Sequence, residues 1–89
     1  MTQPSDSLIA YPCDFPIKVM GLNVDGFQAA MGFVARQFDP AWQENTLETR
    51  ESKGGKYLGL TLTVRVNNRE QLDELYRTLS SHPMVKVVL

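Results

Sequence analysis

Tyr57-Leu58-Gly59-Leu60-Thr61-Leu62-Thr63-Val64-Arg65-Val66 decides the fold. Every even position carries Leu or Val, and every odd position carries Tyr, Gly, Thr or Arg. A strict period of two is that of a strand with one face buried. Just before it stands Lys53-Gly54-Gly55-Lys56. Two central glycines predict a two-residue type I′ hairpin turn, which needs positive φ at both positions. Folding the chain back there sets Thr49 opposite Leu60 and Leu47 opposite Leu62. The returning arm, from Thr46, carries Glu48, Arg50, Glu51 and Lys53. So polar an arm belongs at a sheet edge, where charge discourages pairing with another chain.

On the C-terminal side, Asn68-Arg69-Glu70-Gln71 opens a helix, with Asn68 as cap and Gln71 three residues on. Leu72, Leu75, Tyr76 and Leu79 form its apolar stripe. Asp73 and Arg77 are spaced for an i,i+4 ion pair. Ser80-Ser81-His82-Pro83 stops this helix, and Met84-Val85-Lys86-Val87-Val88-Leu89 is the last strand.

On the N-terminal side, Phe15, Ile17 and Val19 alternate with Pro16, Lys18 and Met20 in a strand that Gly21 is expected to end. Asn23 or Asp25 is suited to cap the next helix. Val24, Phe27, Met31, Val34 and Phe38 recur on one helical face, and Pro40 biases Asp39 away from helical geometry. Residues 1–10 are polar and without period, which predicts a flexible N-terminal tail before a single domain at 11–89.

The order βαββαβ predicts an α+β fold, the ferredoxin-like (split βαβ) two-layer sandwich. Right-handed crossovers give a four-stranded antiparallel sheet in the order 4-1-3-2 with both helices on one face. The other face is then open. It is expected to carry Lys18, Met20, Tyr57, Thr61, Thr63, Arg65, Lys86 and Val88.

Composition narrows the function. Eighty-nine residues make one domain, with 43% hydrophobic and 21% charged residues and a net charge of −1. This gives no global basic field for nucleic acid, and Tyr57 is the sole aromatic on the expected open face, so RNA reading is disfavoured. No apolar run approaches the ~20 residues of a membrane helix. With no secretory leader pattern and a single cysteine, Cys13, a cytoplasmic protein is expected. One histidine and one cysteine offer no metal-ligand spacing, so no metal or other cofactor is expected. Glu70, Asp73 and Glu74 fall in the first half of a helix, where the macrodipole explains them. Acylphosphatases share the element order but place an arginine in the first strand–helix loop, and residues 21–27 here contain none. An enzyme is not expected.

Three stretches, Tyr11-Pro12-Cys13-Asp14-Phe15-Pro16-Ile17-Lys18-Val19-Met20-Gly21, Ser52-Lys53-Gly54-Gly55-Lys56-Tyr57 and Met84 to Leu89, resemble the YbeD-like family of small bacterial proteins. The resemblance implies an ACT-like regulatory domain and a link to lipoate metabolism, through neighbourhood with the octanoyl-transfer gene. ACT domains hold small-molecule effectors at the first strand–helix loop. The corresponding positions here are Gly21, Asn23, Asp25 and Gly26, although the proline usual in that loop is missing. The leading expectation is a regulatory or interaction module acting through protein contacts, as a homodimer or with another cytosolic protein. A small-molecule sensor using residues 21–26 is the alternative, and an RNA-binding domain using the open sheet face is a further one.

Overall fold

A computed structural model describes residues 10–89. The elements are β1 (Cys13–Leu22), α1 (Phe27–Phe38), a 3-10 turn (Glu44–Thr46), β2 (Glu48–Glu51), β3 (Tyr57–Val66), α2 (Arg69–Ser80) and β4 (Val85–Val88). The sheet order is β2-β3-β1-β4, all neighbours antiparallel, which is the ferredoxin-like arrangement expected from the sequence. The expected 1–10 tail lies, apart from Ala10, outside the described residues.

The alternation of β3 holds along its length. Leu60, Leu62, Val64 and Val66 are fully buried beside Ile17 and Val19 of β1, under Phe27, Met31 and Ala35 of α1 and Leu72, Leu75 and Leu79 of α2. These side chains form a core between the sheet and its helices. Asn68 accepts the Gln71 backbone N–H at 2.8 Å, and the Gln71 side chain accepts the N–H of Asn67 rather than of Asn68. The capping box is therefore reciprocal but displaced by one residue.

Several local expectations are corrected. Gly21 does not end β1: the strand runs on to Leu22, and Gly21 is buried where a methyl would collide with the Met84 carbonyl oxygen and the Phe27 ring. Pro16, whose missing N–H predicts a place at the start of a strand, is instead interior to β1. The Leu89 N–H bonds the Lys18 carbonyl, so even-numbered residues of β1 direct their backbone groups toward β4. Registered pairing with β4 covers only Val19 to Gly21, so no ladder donor is required at Pro16.

Gly26, with φ 90°, caps α1 in place of Asn23 or Asp25, and no side chain caps that end. Val24 precedes the helix and is 51% exposed, off the core stripe. The hairpin register is as expected, with Thr49 opposite Leu60, but its turn is not a two-residue loop. Gly55 donates to the Ser52 carbonyl, which closes a turn over Ser52–Gly55 with Gly54 (φ 86°) third, the type II pattern. Ser52 then pairs with Tyr57 through its N–H and its hydroxyl. On α2, Asp73 pairs with Arg69 and Arg77 with Glu74, instead of Asp73 with Arg77.

The α1–β2 connection also closes an edge. β2 reaches only to Thr61 of β3, and beyond it Asp39 accepts the backbone N–H of Arg65. Trp42 is buried here, against Gly32 and beneath the Arg36 guanidinium at 5.1 Å from its ring.

Candidate functional site: the open sheet face

Opposite residues of an antiparallel pair share a face, so the register maps the side of the sheet that the helices leave uncovered. Met20 and Arg50 both stand opposite Gly59; Lys18 and Glu48 both stand opposite Thr61; Leu22 stands opposite Tyr57. Because Gly59 lacks a side chain, the middle row is hollow. A trough of about 530 Å³ lies there, with Met20 and Arg50 as flanks and Tyr57 and Thr61 at its two ends. The Lys56 ammonium sits 5.5 Å from the Tyr57 ring centre. Among the described residues, Lys18 and Arg50 have no carboxylate within ion-pair distance.

The eight residues expected on this face separate into groups. Lys18, Met20, Tyr57 and Thr61 line the trough. Thr63 lines a second hollow of about 250 Å³ with Asp14, Asp39 and Trp42. Arg65 is drawn to the far end by Asp14 at 3.4 Å. Val88 does not belong to the open face: it stands opposite Val19 and packs on the helix-side core. A shift of register between Met20 and Gly21 is the reason. It inserts Lys86 as the extra residue of a bulge, exposed beside the ladder rather than in a regular open-face position. Val87, opposite Met20 and 40% exposed, takes the place expected for Val88.

The first strand–helix loop is tied into the fold. The Asn23 amide donates to the Glu51 carboxylate and to the Gly55 carbonyl, both at 3.0 Å, and the Asn23 backbone N–H bonds the Lys56 carbonyl. Asn23 is thus a strut between this loop and the hairpin tip. Asp25 is exposed, Gly26 turns the chain into α1, and Gly21 lies within β1.

Among the described residues no three of His, Cys, Asp and Glu converge as metal ligands, and no helix is long and apolar enough to cross a membrane. Burial holds the Tyr11 phenol above its ordinary pKa, and the charges of Cys13, Asp73 and Glu70 push the same way. His82 uses its Nδ1 to accept the Met84 N–H, closing the turn into β4.

The family model described as "Protein of unknown function (DUF493)" matches residues 6–89. The chain belongs to this family. Its curated relatives are UPF0250 proteins. One from Ralstonia nicotianae is 57% identical over 88 residues, covering 99% of this chain and 91% of the relative. One from Paraburkholderia phymatum is 55% identical over the full length of both. One from Leptothrix cholodnii is 59% identical over 83 residues, covering 93% of this chain and 91% of the relative. The YbeD-like resemblance read from the sequence is therefore correct. The solution structure of protein HP0495 from H. pylori superposes with a TM-score of 0.70 at 24% identity, over 100% of this chain and 97% of that one, and shares the fold.

Sequence reasoning missed Gly59, Arg50 and Val87. The first two were within reach, since the hairpin register already sets Arg50 opposite Gly59. Val87 was not, because nothing in its sequence signals the bulge.

Proposed function

We propose that this DUF493 protein is a non-catalytic, cytosolic regulatory module that acts through protein–protein contacts, first of all as a homodimer formed across the outer edge of β4. The observation that carries this reading is the unequal protection of the two sheet edges. All four residues of β2 are exposed, and three of them, Glu48, Arg50 and Glu51, are charged. β4 carries Lys86 alone among valines. With the Leu89 N–H turned inward to Lys18, the alternation turns the backbone groups of Val88 outward, ready to pair with another strand.

A second copy fits this edge without like-charge conflict. With Val87 on a two-fold axis, Val87 of each copy stands opposite the other and Lys86 stands opposite Val88. The two sheets then join into one of eight strands, with all helices on the same side. A link to lipoate metabolism rests on the YbeD-like resemblance. It makes the octanoyl-transfer enzyme a sensible second partner to test.

Light scattering over a concentration series checks the homodimer. The expected result is a dimer mass at high micromolar protein that falls toward the monomer on dilution. Val87→Lys, which sets two lysines opposite each other, shifts the series toward monomer with an unchanged circular-dichroism spectrum. A wild-type protein that stays monomeric throughout contradicts the proposal.

A further inference from the structure

Gly59 is the one glycine of six for which the fold supplies no requirement. Gly26, Gly54 and Gly55 have positive φ, and added methyl groups at Gly21 and Gly32 meet backbone or the Trp42 ring at close range. At Gly59 φ is ordinary, and a methyl would meet only the Arg50 carbonyl oxygen at 3.5 Å, a normal contact. A glycine inside a strand weakens it, and often marks the place where a ligand approaches the backbone closely.

The surroundings state what kind of ligand. Lys18 on β1 and Arg50 on β2 lie diagonally across the hollow, both exposed, with no ion pair among the described residues. Of the two rim carboxylates, Glu51 already accepts the Asn23 amide. Glu48 shares the open face of β2 with Arg50, two residues from it and across Thr61 from Lys18, and makes no ion pair with either among the described residues. Lys56 stands over the Tyr57 ring but outside the trough lining, whose charged side chains are Lys18 and Arg50 against Glu48 and Glu51. The wall offers Met20 and the Tyr57 ring. Its volume of about 530 Å³ falls within the range of small-molecule sites.

We propose that the trough over Gly59 is a binding site for a small organic carboxylate with an apolar body. Its carboxylate meets Lys18 and Arg50, and its apolar part lies on the bare backbone of Gly59 between Met20 and Tyr57. This site is on the sheet face, separate from the outer backbone edge of β4, and it stands whether or not the protein dimerises.

Amide chemical shifts of labelled full-length protein, titrated with 3-phenylpropionate, its uncharged amide and inorganic phosphate, test the site. The expected result is a saturable shift with 3-phenylpropionate centred on Met20, Gly59 and Thr61. The amide binds about tenfold more weakly, since it lacks the charge-assisted bonds, and phosphate gives smaller shifts confined to Lys18 and Arg50. Gly59→Val abolishes the response, and Arg50→Gln weakens it three- to tenfold, a rough range for one such contact at an open site. Gly59→Ala, which fits without displacement, also weakens it and serves where the valine variant does not fold. No saturable shift at high millimolar probe, a centre elsewhere, or a response unchanged in Gly59→Ala and Arg50→Gln overturns the proposal.

Discussion

At the scale of single residues, the glycines separate what the fold demands from what it tolerates. Gly21 is enclosed by the Met84 carbonyl and the Phe27 ring, so Gly21→Ala forces backbone to move. A loss of about 1–3 kcal/mol is expected, the ordinary cost of overpacking. Gly59→Ala goes the other way: it is expected to be neutral or stabilising by up to ~1 kcal/mol, because alanine costs less backbone entropy. Urea denaturation of the two variants checks both signs. Tyr11 supplies a pH dependence. Its phenol is held neutral by burial and by nearby acids, so the folded state keeps this proton more tightly than the unfolded chain. Stability from this group is fully present below the ordinary phenol pKa of 10.0 and falls as pH rises beyond it. Tyr11→Phe is expected to unfold with a smaller alkaline decline in Tm than the wild type.

The elements show which parts of the fold a linear reading can reach. β3 announces itself because its pattern has a strict period and its buried face is unbroken. α2 does so because cap, stripe and stop all agree. Asn68→Ala is accordingly expected to cost about 1 kcal/mol, read as a shift in denaturation midpoint, since it removes the acceptor of the Gln71 N–H. The start of α1 was misread because Asn23 and Asp25 are both good caps by type, while the contacts that engage Asn23 lie 28 and 32 residues away. The hairpin keeps its register with a different turn, because a four-residue loop closed by Ser52 and Tyr57 has the same net offset as a two-residue one. Trp42 sits in a connection with no period to reveal it. Its burial depends on Gly32 and Arg36, which come together only once α1 has formed. The β4 bulge, which exchanges Val88 for Val87 on the open face, is a tertiary accommodation with no local code.

At the scale of the whole molecule, strand order and helix placement follow from chirality and from the polar second strand, and those were legible. The open face was legible as a face but not as a site. Half of its eight expected residues line the trough, and the trough owes its existence to Gly59, a residue that offers no functional group to notice. The two sheet edges then differ in a way that bears on assembly: β2 is screened by charge, and β4 is short, valine-rich and open. If β4 is the contact, apparent stability rises with protein concentration, because association favours the folded state.

The most direct test is amide hydrogen exchange at Val88 as protein concentration is varied. Its N–H points away from β1, so pairing across β4 is the event that protects it. Dimerisation through this edge predicts that Val88 exchange slows with rising concentration in the wild type and stays fast in Val87→Lys. Fast, concentration-independent exchange at Val88 in a protein that light scattering shows to be dimeric would contradict the edge, and the same result in a monomer would contradict the dimer itself.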